Sequence, residues 1–221
     1  MKELTIKKIY DTKETIAKEL LDSKKYPWQV LPEISEYILK KGKELNKEEY
    51  IQKEENIWIH KSAKIYPSSY IQGPCIICKD AEVRHCAFIR GNAIVGEGAV
   101  VGNSTELKNV ILFNKVQVPH YNYIGDSILG YKSHLGAATL TSNVKSDKEL
   151  VVIKKGELKI QTGIKKVGAF VGDNVEVGCN SVLNPGTVIG KNTNIYPLSC
   201  VRGYVLENSI YKKQDDIVIK K

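Results

Sequence analysis

The feature that most constrains the fold is a hydrophobic period of six residues. Nine aliphatic residues occupy every sixth position: Ile59, Ile65, Ile71, Ile77, Val83, Ile89, Val95, Val101 and Leu107. This period fits neither an α-helix, which repeats every 3.6 residues, nor a strand with one buried side, which repeats every two. It predicts short strands joined by turns, in which each strand forms one side of a prism.

Small residues accompany the aliphatic ones. They stand four places after each of the first eight aliphatic positions and are Ala63, Ser69, Cys75, Ala81, Ala87, Ala93, Ala99 and Thr105. We expect the aliphatic side chains to stack inside the prism and the small ones to fit near its narrow corners. The phase slips by one residue before Leu112 and again before Leu129, and the pattern returns from Val171 to Val201.

These patterns predict a mainly β protein whose residues 57–206 form a parallel β-helix of hexapeptide repeats. Three hexads make one triangular coil, so about 20 hexads give six or seven coils. Residues 141–170 lack the period, and we expect an inserted loop there on one side of the solenoid, often the binding side.

The insertion is also the most basic part of the chain. Residues 141–170 hold seven Lys/Arg and three Asp/Glu, which is half of the net charge of +8. A concentrated basic segment attracts phosphorylated ligands through its field. The alternative is a solvated lysine loop that keeps the protein soluble. Because no nucleic-acid-binding motif accompanies the segment, we expect no nucleic acid partner.

The two ends of the chain lack the repeat. Residues 1–56 predict short helices, with a capping box at Asp11–Glu14 and a second helix start at Pro32. A solenoid needs a cover over its open end, and we expect this segment to cap the first coil. Residues 207–221 form a C-terminal tail that leaves the solenoid, in which Ile217–Ile219 form a short strand or pack on a neighbour.

Composition narrows the class of protein. Apolar residues make up 42% and charged residues 26%, as in soluble globular proteins. No apolar run approaches the roughly 18 residues that a membrane span needs. The charged start of the chain carries no secretory signal, so the expected compartment is the cytoplasm.

The cysteines and histidines do not predict a metal site. Cys75 and Cys78 form a lone C-x-x-C with no second pair, and the place of Cys75 in the repeat favours a core role. A β-helix can also be a carbonic anhydrase, which needs three converging histidines. The four histidines, at 60, 85, 120 and 134, occupy different phases of the repeat and form no such cluster.

Two motifs stand on the repeat and carry a resemblance. The first is Gly102-Asn103-x-x-Glu106-x-Lys108, and the second is His120-x-x-Tyr123-x-Gly125-Asp126. They resemble the hexapeptide-repeat acyltransferase superfamily over about residues 57–206. The resemblance is to the C-terminal acetyltransferase domain of bifunctional UDP-N-acetylglucosamine pyrophosphorylase/glucosamine-1-phosphate N-acetyltransferases and to related sugar-1-phosphate nucleotidyltransferase-like proteins. It implies a left-handed β-helix and a homotrimer with each site between neighbouring β-helices.

The resemblance also implies the roles of individual residues. His120 matches the general base, and acetyl passes directly from acetyl-CoA to the acceptor. The substrate-binding positions are Arg90, Lys108, Tyr123, His134 and Asn143. The positions that line the groove for CoA are Gly136, Ala137, Ala138, Thr139 and Cys179. The chain departs from the family at His134, where an asparagine is usual, and at Ala138, where a glycine is usual.

The sequence therefore predicts an acetyl-CoA-dependent N- or O-acetyltransferase that acts on a sugar phosphate or nucleotide sugar. The glycine-rich nucleotide loop of the family's nucleotidyltransferase half has no match in the sequence. The alternative is a non-catalytic trimeric β-helix that binds a sugar nucleotide or a partner protein, which the altered acceptor positions favour. His120 distinguishes the two, because only the enzyme requires it.

Overall fold

The computed structural model describes residues 2–213 and 216–220. Short strands follow one another along the chain, and each pairs in parallel with the strand one coil earlier and one coil later. Cys75 pairs with Ala93, for example, and Ala93 pairs with Val110. The described residues form seven complete three-stranded coils and part of an eighth. The hexapeptide β-helix predicted from the sequence is confirmed.

The coils present three faces, which we call A, B and C in the order in which the chain visits them. Face A contains Ile57–His60, Cys75–Ile77, Ala93–Val95, the second half of Glu106–Leu112, the second half of Tyr123–Leu129, Ala169–Val171, Thr187–Ile189 and Tyr204–Val205. Face B contains Lys64–Ile65, Glu82–Val83, Val100–Asn103, Gln117–His120, His134–Leu135, Glu176–Val177, Asn194–Ile195 and Ser209–Lys213. Face C contains Tyr70–Ile71, Phe88–Ile89, the first halves of Glu106–Leu112 and Tyr123–Leu129, Leu140–Thr141, Val182–Leu183 and Cys200–Val201.

The six-residue period fills the prism as predicted. Val95, Val101 and Leu107, one from each face of a coil, are fully buried. The small residue Cys75 is also fully buried in this core. Burial raises the pKa of the nearby Cys78 thiol to about 12, so both groups stay protonated and behave as small apolar side chains.

The phase slips mark two tightened corners between faces C and A. Glu106–Leu112 and Tyr123–Leu129 run without a break around this corner, whereas in other coils a turn separates the two strands. Asn109 and Asp126 turn the chain with φ values of 53° and 47°. Each corner is one residue shorter than its neighbours, so the buried aliphatic residue comes one place early.

The outer surface of face A is apolar and covered. The middle residue of each strand points outward, since neighbouring side chains alternate in direction. These residues are Trp58, Ile76, Ile94, Ile111, Ile128, Phe170 and Val188, and all are buried. Their cover is the N-terminal segment, which contains α1 (Ile6–Ile9), α2 (Lys18–Asp22), α3 (Ile34–Glu44) and the 3₁₀ turns Lys2–Leu4, Thr12–Glu14, Pro27–Gln29 and Leu31–Glu33.

The position of this segment corrects the sequence prediction, which places it over the open first coil. In the structure it lies lengthwise along face A. The Tyr10 hydroxyl donates to the Ile128 carbonyl at 3.1 Å, and the Trp28 ring lies 6.1 Å from Phe170. The physical reason is the apolar outer column of face A, which water would otherwise contact. At the first coil, only the strand Tyr50–Glu54 closes the ladder, by pairing antiparallel with Ile57–His60.

The insertion leaves the solenoid after Thr141 and returns at Ala169. It is not a plain loop but contains an antiparallel hairpin of Val152–Lys155 and Leu158–Gln161. Val151 and Ile153 are fully buried, and the hairpin packs on the face A strands of the last two coils. The hairpin thus completes the cover that the N-terminal segment begins.

The C-terminal strand Asp216–Ile219 pairs antiparallel with Ser209–Lys213 at the last rung of face B. A strand through Ile217–Ile219 agrees with one of the two sequence predictions for the tail. The prediction that the tail leaves the solenoid from residue 207 is wrong, because Ser209–Lys213 pairs in parallel with Asn194–Ile195 and continues face B. Among the described residues, no helix has the length and apolar character needed to cross a membrane.

Candidate functional site

The predicted site residues lie along the two edges of face C. On the edge shared with face B, here the B–C edge, His120 ends its strand and Gly136–Thr139 form the turn of the next coil. The Ala138 N–H donates to the His120 carbonyl at 3.0 Å, and the Asn180 N–H donates to the Ala137 carbonyl at 2.8 Å. A Cβ on Gly136 would lie 3.0 Å from the Cys179 sulfur. The structure therefore brings the predicted base and the predicted CoA positions into one column.

The buried side chain of Asn122 holds this edge together. Its Oδ1 accepts from the His120 N–H at 3.1 Å. Its amide nitrogen donates to the carbonyls of Gly136 and Thr139 at 2.9 and 3.0 Å. Sequence reasoning missed this residue, because an asparagine in a turn is common and only the fold shows that it bridges two coils.

The imidazole of His120 is exposed. No hydrogen-bond partner for its ring nitrogens exists in the part of the chain that the structure describes. The backbone on either side is fixed by the neighbouring coils, so the ring stands on a rigid support with both nitrogens available to a ligand.

The opposite edge of face C, here the C–A edge, carries a polar cluster around Asp126. Its carboxylate is only 4% exposed and lies 2.9 and 3.0 Å from the ammonium of Lys108. The side-chain amides of Asn109 and Asn143 also donate to it, at 3.0 and 2.5 Å. These residues come from the tightened corners and from the start of the insertion. The cluster contains Lys108 and Asn143, two of the positions predicted to bind substrate, together with Asp126 and Asn109.

Tyr123 extends from this cluster across face C. Its hydroxyl accepts from the Asn143 amide at 3.2 Å. Burial raises the pKa of Tyr123, and the charges of Asp126 and Glu106 raise it further. The phenol is thus a neutral donor, because the nearby carboxylates and the low exposure both oppose its ionisation.

Arg90 lies one coil before Lys108 on the same edge. Its guanidinium forms an ion pair with Glu106 at 2.6 Å, and that hydrogen bond raises the pKa of Arg90. Arg90 and Lys108, the two cations among the predicted substrate-binding residues, are therefore both already paired with carboxylates. An arginine has five N–H donors and a lysine three, so each retains donors for an additional anion.

His134 does not join either edge. It lies on a face B strand, where its Nδ1 is 2.8 Å from a carboxylate oxygen of Glu176. The two residues border a shallow depression with Lys115 and Lys132. The resemblance to the family implies an acceptor contact here, and within one protomer the structure does not bring His134 to the Lys108 cluster.

No group of three or more His, Cys, Asp or Glu side chains among residues 2–213 and 216–220 is arranged to hold a metal ion. The two edges of face C present an imidazole that can act in acid–base catalysis and paired cations that can bind an anion.

Several known proteins are similar to this chain in sequence. Residues 71–161 match the family model described as the GMPPB C-terminal domain. The bifunctional protein GlmU of Methanococcus maripaludis is 34% identical over 201 residues, which cover 89% of this chain and 48% of that protein. The uncharacterized acetyltransferase YaiX of Escherichia coli is 30% identical over 178 residues, which cover 76% of this chain and 77% of that protein. The chain belongs to the hexapeptide-repeat acetyltransferase superfamily.

Membership of this superfamily confirms the resemblance that the two motifs carry. A crystal structure of a putative acetyltransferase from Bacillus cereus shares the fold, with a TM-score of 0.50, 15% identity, and coverage of 72% of this chain and 84% of that one. The chain spans about a third to a half of the length of the GlmU relatives that it matches.

Proposed function

We propose that the protein is an acetyl-CoA-dependent acetyltransferase whose acceptor is an amine or hydroxyl of a sugar phosphate or nucleotide sugar. The observation that carries this proposal is that the two edges of face C carry different functional groups. One edge holds an unpaired imidazole beside a turn built from small residues. The other holds cations, amides and a phenol suited to a phosphorylated sugar.

His120 acts as the general base. Its free ring nitrogen accepts the proton of the acceptor amine or hydroxyl as that group attacks the thioester carbonyl of acetyl-CoA. The tetrahedral intermediate collapses by breaking the C–S bond, and the leaving CoA thiolate takes up the proton that His120 has accepted. An imidazole suits this task because its unperturbed pKa lies near neutral pH.

The cluster on the C–A edge binds the acceptor. Two of the contacts of the Lys108 ammonium go to Asp126, which leaves donor capacity for a phosphate oxygen. The Arg90 guanidinium offers further donors one coil away. Tyr123 and Asn143 contribute a hydroxyl and an amide for the sugar hydroxyls.

Acetyl-CoA binds along the B–C edge. The small side chains at Gly136–Thr139 leave the backbone accessible to the pantetheine amides, and a side chain at Gly136 would collide with Cys179, whose backbone N would lie 2.8 Å from the new Cβ. We further propose a homotrimer. Face A is covered by the chain's own N-terminal segment, whereas face C exposes Tyr70 and Phe88, at 63% and 37%.

The test is consumption of acetyl-CoA with a panel of amino-sugar phosphates and nucleotide sugars. We expect turnover with one acceptor, and a loss of about 100-fold or more in His120→Ala. The matched control is His85→Ala, since His85 is exposed at the same edge two coils earlier. Equal turnover by wild type and His120→Ala would contradict the role of the base.

A non-catalytic binding module is the second candidate. The observation in its favour is that no described residue orients the His120 ring, although catalytic histidines usually have such a partner. This candidate predicts no turnover with any acceptor, no binding of CoA, and full tolerance of His120→Ala in ligand binding.

A further inference from the structure

A polar groove of about 600 Å³ lies on the C–A edge, directly beside Asn143. One wall is the insertion and the other is formed by the last two coils. The lining includes Lys145, Asp147, Lys154, Asn184, Pro185 and Arg202. Its volume is within the range of roughly 300–1,000 Å³ of small-molecule sites. Neither His120 nor Lys108 lines this groove, and the functions proposed for them do not involve it.

The groove has an excess of positive charge. Its single acid, Asp147, is paired with Lys145 at 2.9 Å. The ammonium of Lys154 and the guanidinium of Arg202 have no acidic partner among the residues that the structure describes. In this respect they differ from Arg90 and Lys108, which are both paired. Two unpaired cations in one concave site attract a ligand with more than one negative charge.

The wall formed by the insertion is rigid. Val151 and Ile153, which flank the lining residue Val152, are fully buried. The Thr162 hydroxyl donates to the Val151 carbonyl at 2.7 Å. Because the wall is anchored in the core, a ligand does not have to order it on binding.

The remaining lining suits a nucleoside. Val144, Val152 and Pro185 provide aliphatic surface for a base or ribose ring. The Asn184 amide nitrogen donates to the Val201 carbonyl at 2.9 Å, which leaves its oxygen as an acceptor. Serine hydroxyls at 142 and 146 add donors of the kind that ribose and phosphate oxygens require.

We propose that this groove binds the nucleoside diphosphate portion of a nucleotide sugar, with its diphosphate on Lys154 and Arg202. This inference rests on the proposed function and narrows the acceptor to a nucleotide sugar. Ser142 and Val144 line the groove on either side of Asn143 in the sequence, so a sugar leaving the groove reaches the cluster with Tyr123. The column proposed for CoA lies on the opposite edge of face C and is separate from the groove within one protomer.

The test is calorimetric binding of UDP, GDP and dTDP to the full chain, with adenosine 3′,5′-bisphosphate as a probe for the nucleotide part of CoA. The variant is Lys154→Gln/Arg202→Gln. The control is Lys148→Gln/Lys165→Gln, which removes the same charge from exposed positions of the insertion outside the groove lining. We expect one diphosphate to bind, at least about tenfold weaker binding in the variant, and a change below about twofold in the control.

Two kinds of result in the binding experiment would overturn the proposal. One is that no nucleoside diphosphate binds, or that it binds the variant as well as the wild type. The other is that the variant loses only adenosine 3′,5′-bisphosphate, which would assign the groove to CoA. Calorimetry requires no turnover, so these results are distinguishable from a failure of acetyl transfer. Turnover with a sugar monophosphate alone would retain the acetyltransferase and reject the nucleotide groove.

Discussion

Both carboxylate oxygens of Asp126 contact the ammonium of Lys108, at 2.9 and 3.0 Å, across one coil of the β-helix. The same carboxylate accepts from Asn109 and Asn143. Burying an unpaired carboxylate costs free energy, and Asp126 is only 4% exposed, so its three partners stabilise the buried charge. These contacts fix the position of the Lys108 ammonium, which is proposed to bind the phosphate of the acceptor.

Asp126→Asn removes this charge with little change in shape. The new amide presents hydrogens to Lys108 and to two amide donors, so we expect a loss of about 1–3 kcal/mol in the free energy of unfolding. We also expect a KM for the acceptor at least about tenfold higher, with the KM for acetyl-CoA within about twofold. Steady-state kinetics and urea unfolding check both. Asp80→Asn, at an exposed turn, is the control, and an equal rise in both KM values would reject a positioning role.

The two C-x-x-C thiols are predicted to be inert. Burial raises the pKa of Cys78 to about 12 and that of Cys75 further still. The thiolate is the reactive form, and a thiol with so high a pKa is almost entirely protonated at pH 8. Brief treatment with iodoacetamide followed by mass spectrometry is expected to leave both residues unmodified and to label exposed Cys86. Labelling of Cys78 in the native protein would contradict the buried position.

The cover of face A is predicted to supply much of the stability. Trp28 is 3% exposed, stacks on Tyr26 at 4.6 Å and contacts Phe170. Trp28→Ala is expected to cost about 3–5 kcal/mol in the free energy of unfolding. Leu198→Ala, at a position that is 80% exposed, is expected to cost less than about 0.5 kcal/mol. Urea unfolding of both variants measures the difference, and similar values would show that the segment contributes little.

The contact between the start of the chain and the hairpin is predicted to depend on pH. A hydrogen bond from Lys155 lowers the pKa of Glu3 from 4.5 to about 2. A lowered pKa in the folded state stabilises that state above the unfolded value, so the contribution is complete above pH 4.5 and is lost as pH falls toward 2.

Hydrogen exchange of residues 152–161 measures this contact. We expect faster exchange in Glu3→Gln than in wild type at pH 7, and a much smaller difference near pH 2. Glu157→Gln, in the turn of the same hairpin, is the control. A difference between wild type and Glu3→Gln that persists unchanged at pH 2 would mean that the Glu3 charge is not its source.

Much of the fold follows from the sequence because the period of six specifies which residues point inward. The period does not specify which face is covered. That information is present in the runs Cys75–Ile77, Ala93–Val95 and Ala169–Val171, where three consecutive apolar residues require burial on both sides of the strand. Those runs predict that face A has a cover, but not that residues 1–45 provide it.

The site was predictable in part for a related reason. His120 and Lys108 belong to local motifs, so their roles are accessible from the sequence. Asp126 also belongs to a motif, but its role depends on Lys108 and Asn109 from the preceding coil and on Asn143 at the start of the insertion. The groove also requires Arg202, which follows the insertion by two coils in the sequence. Only the stacking of those coils brings Arg202 to the same groove as the insertion. The hairpin itself was signalled by alternating apolar residues on either side of Gly156.

The N-terminal segment runs the full length of the solenoid in the direction opposite to coil order. Lys8 binds Glu207 in the last coil at 2.8 Å, the Asp11 N–H donates to Asp173 at 2.7 Å, and Gly42 packs on Trp58 in the first coil. In an ordinary repeat array each unit touches only its neighbours, so the ends fray and unfolding spreads unit by unit. Here the N-terminal segment contacts coils from the first to the last, so the β-helix is expected to unfold as a single cooperative unit.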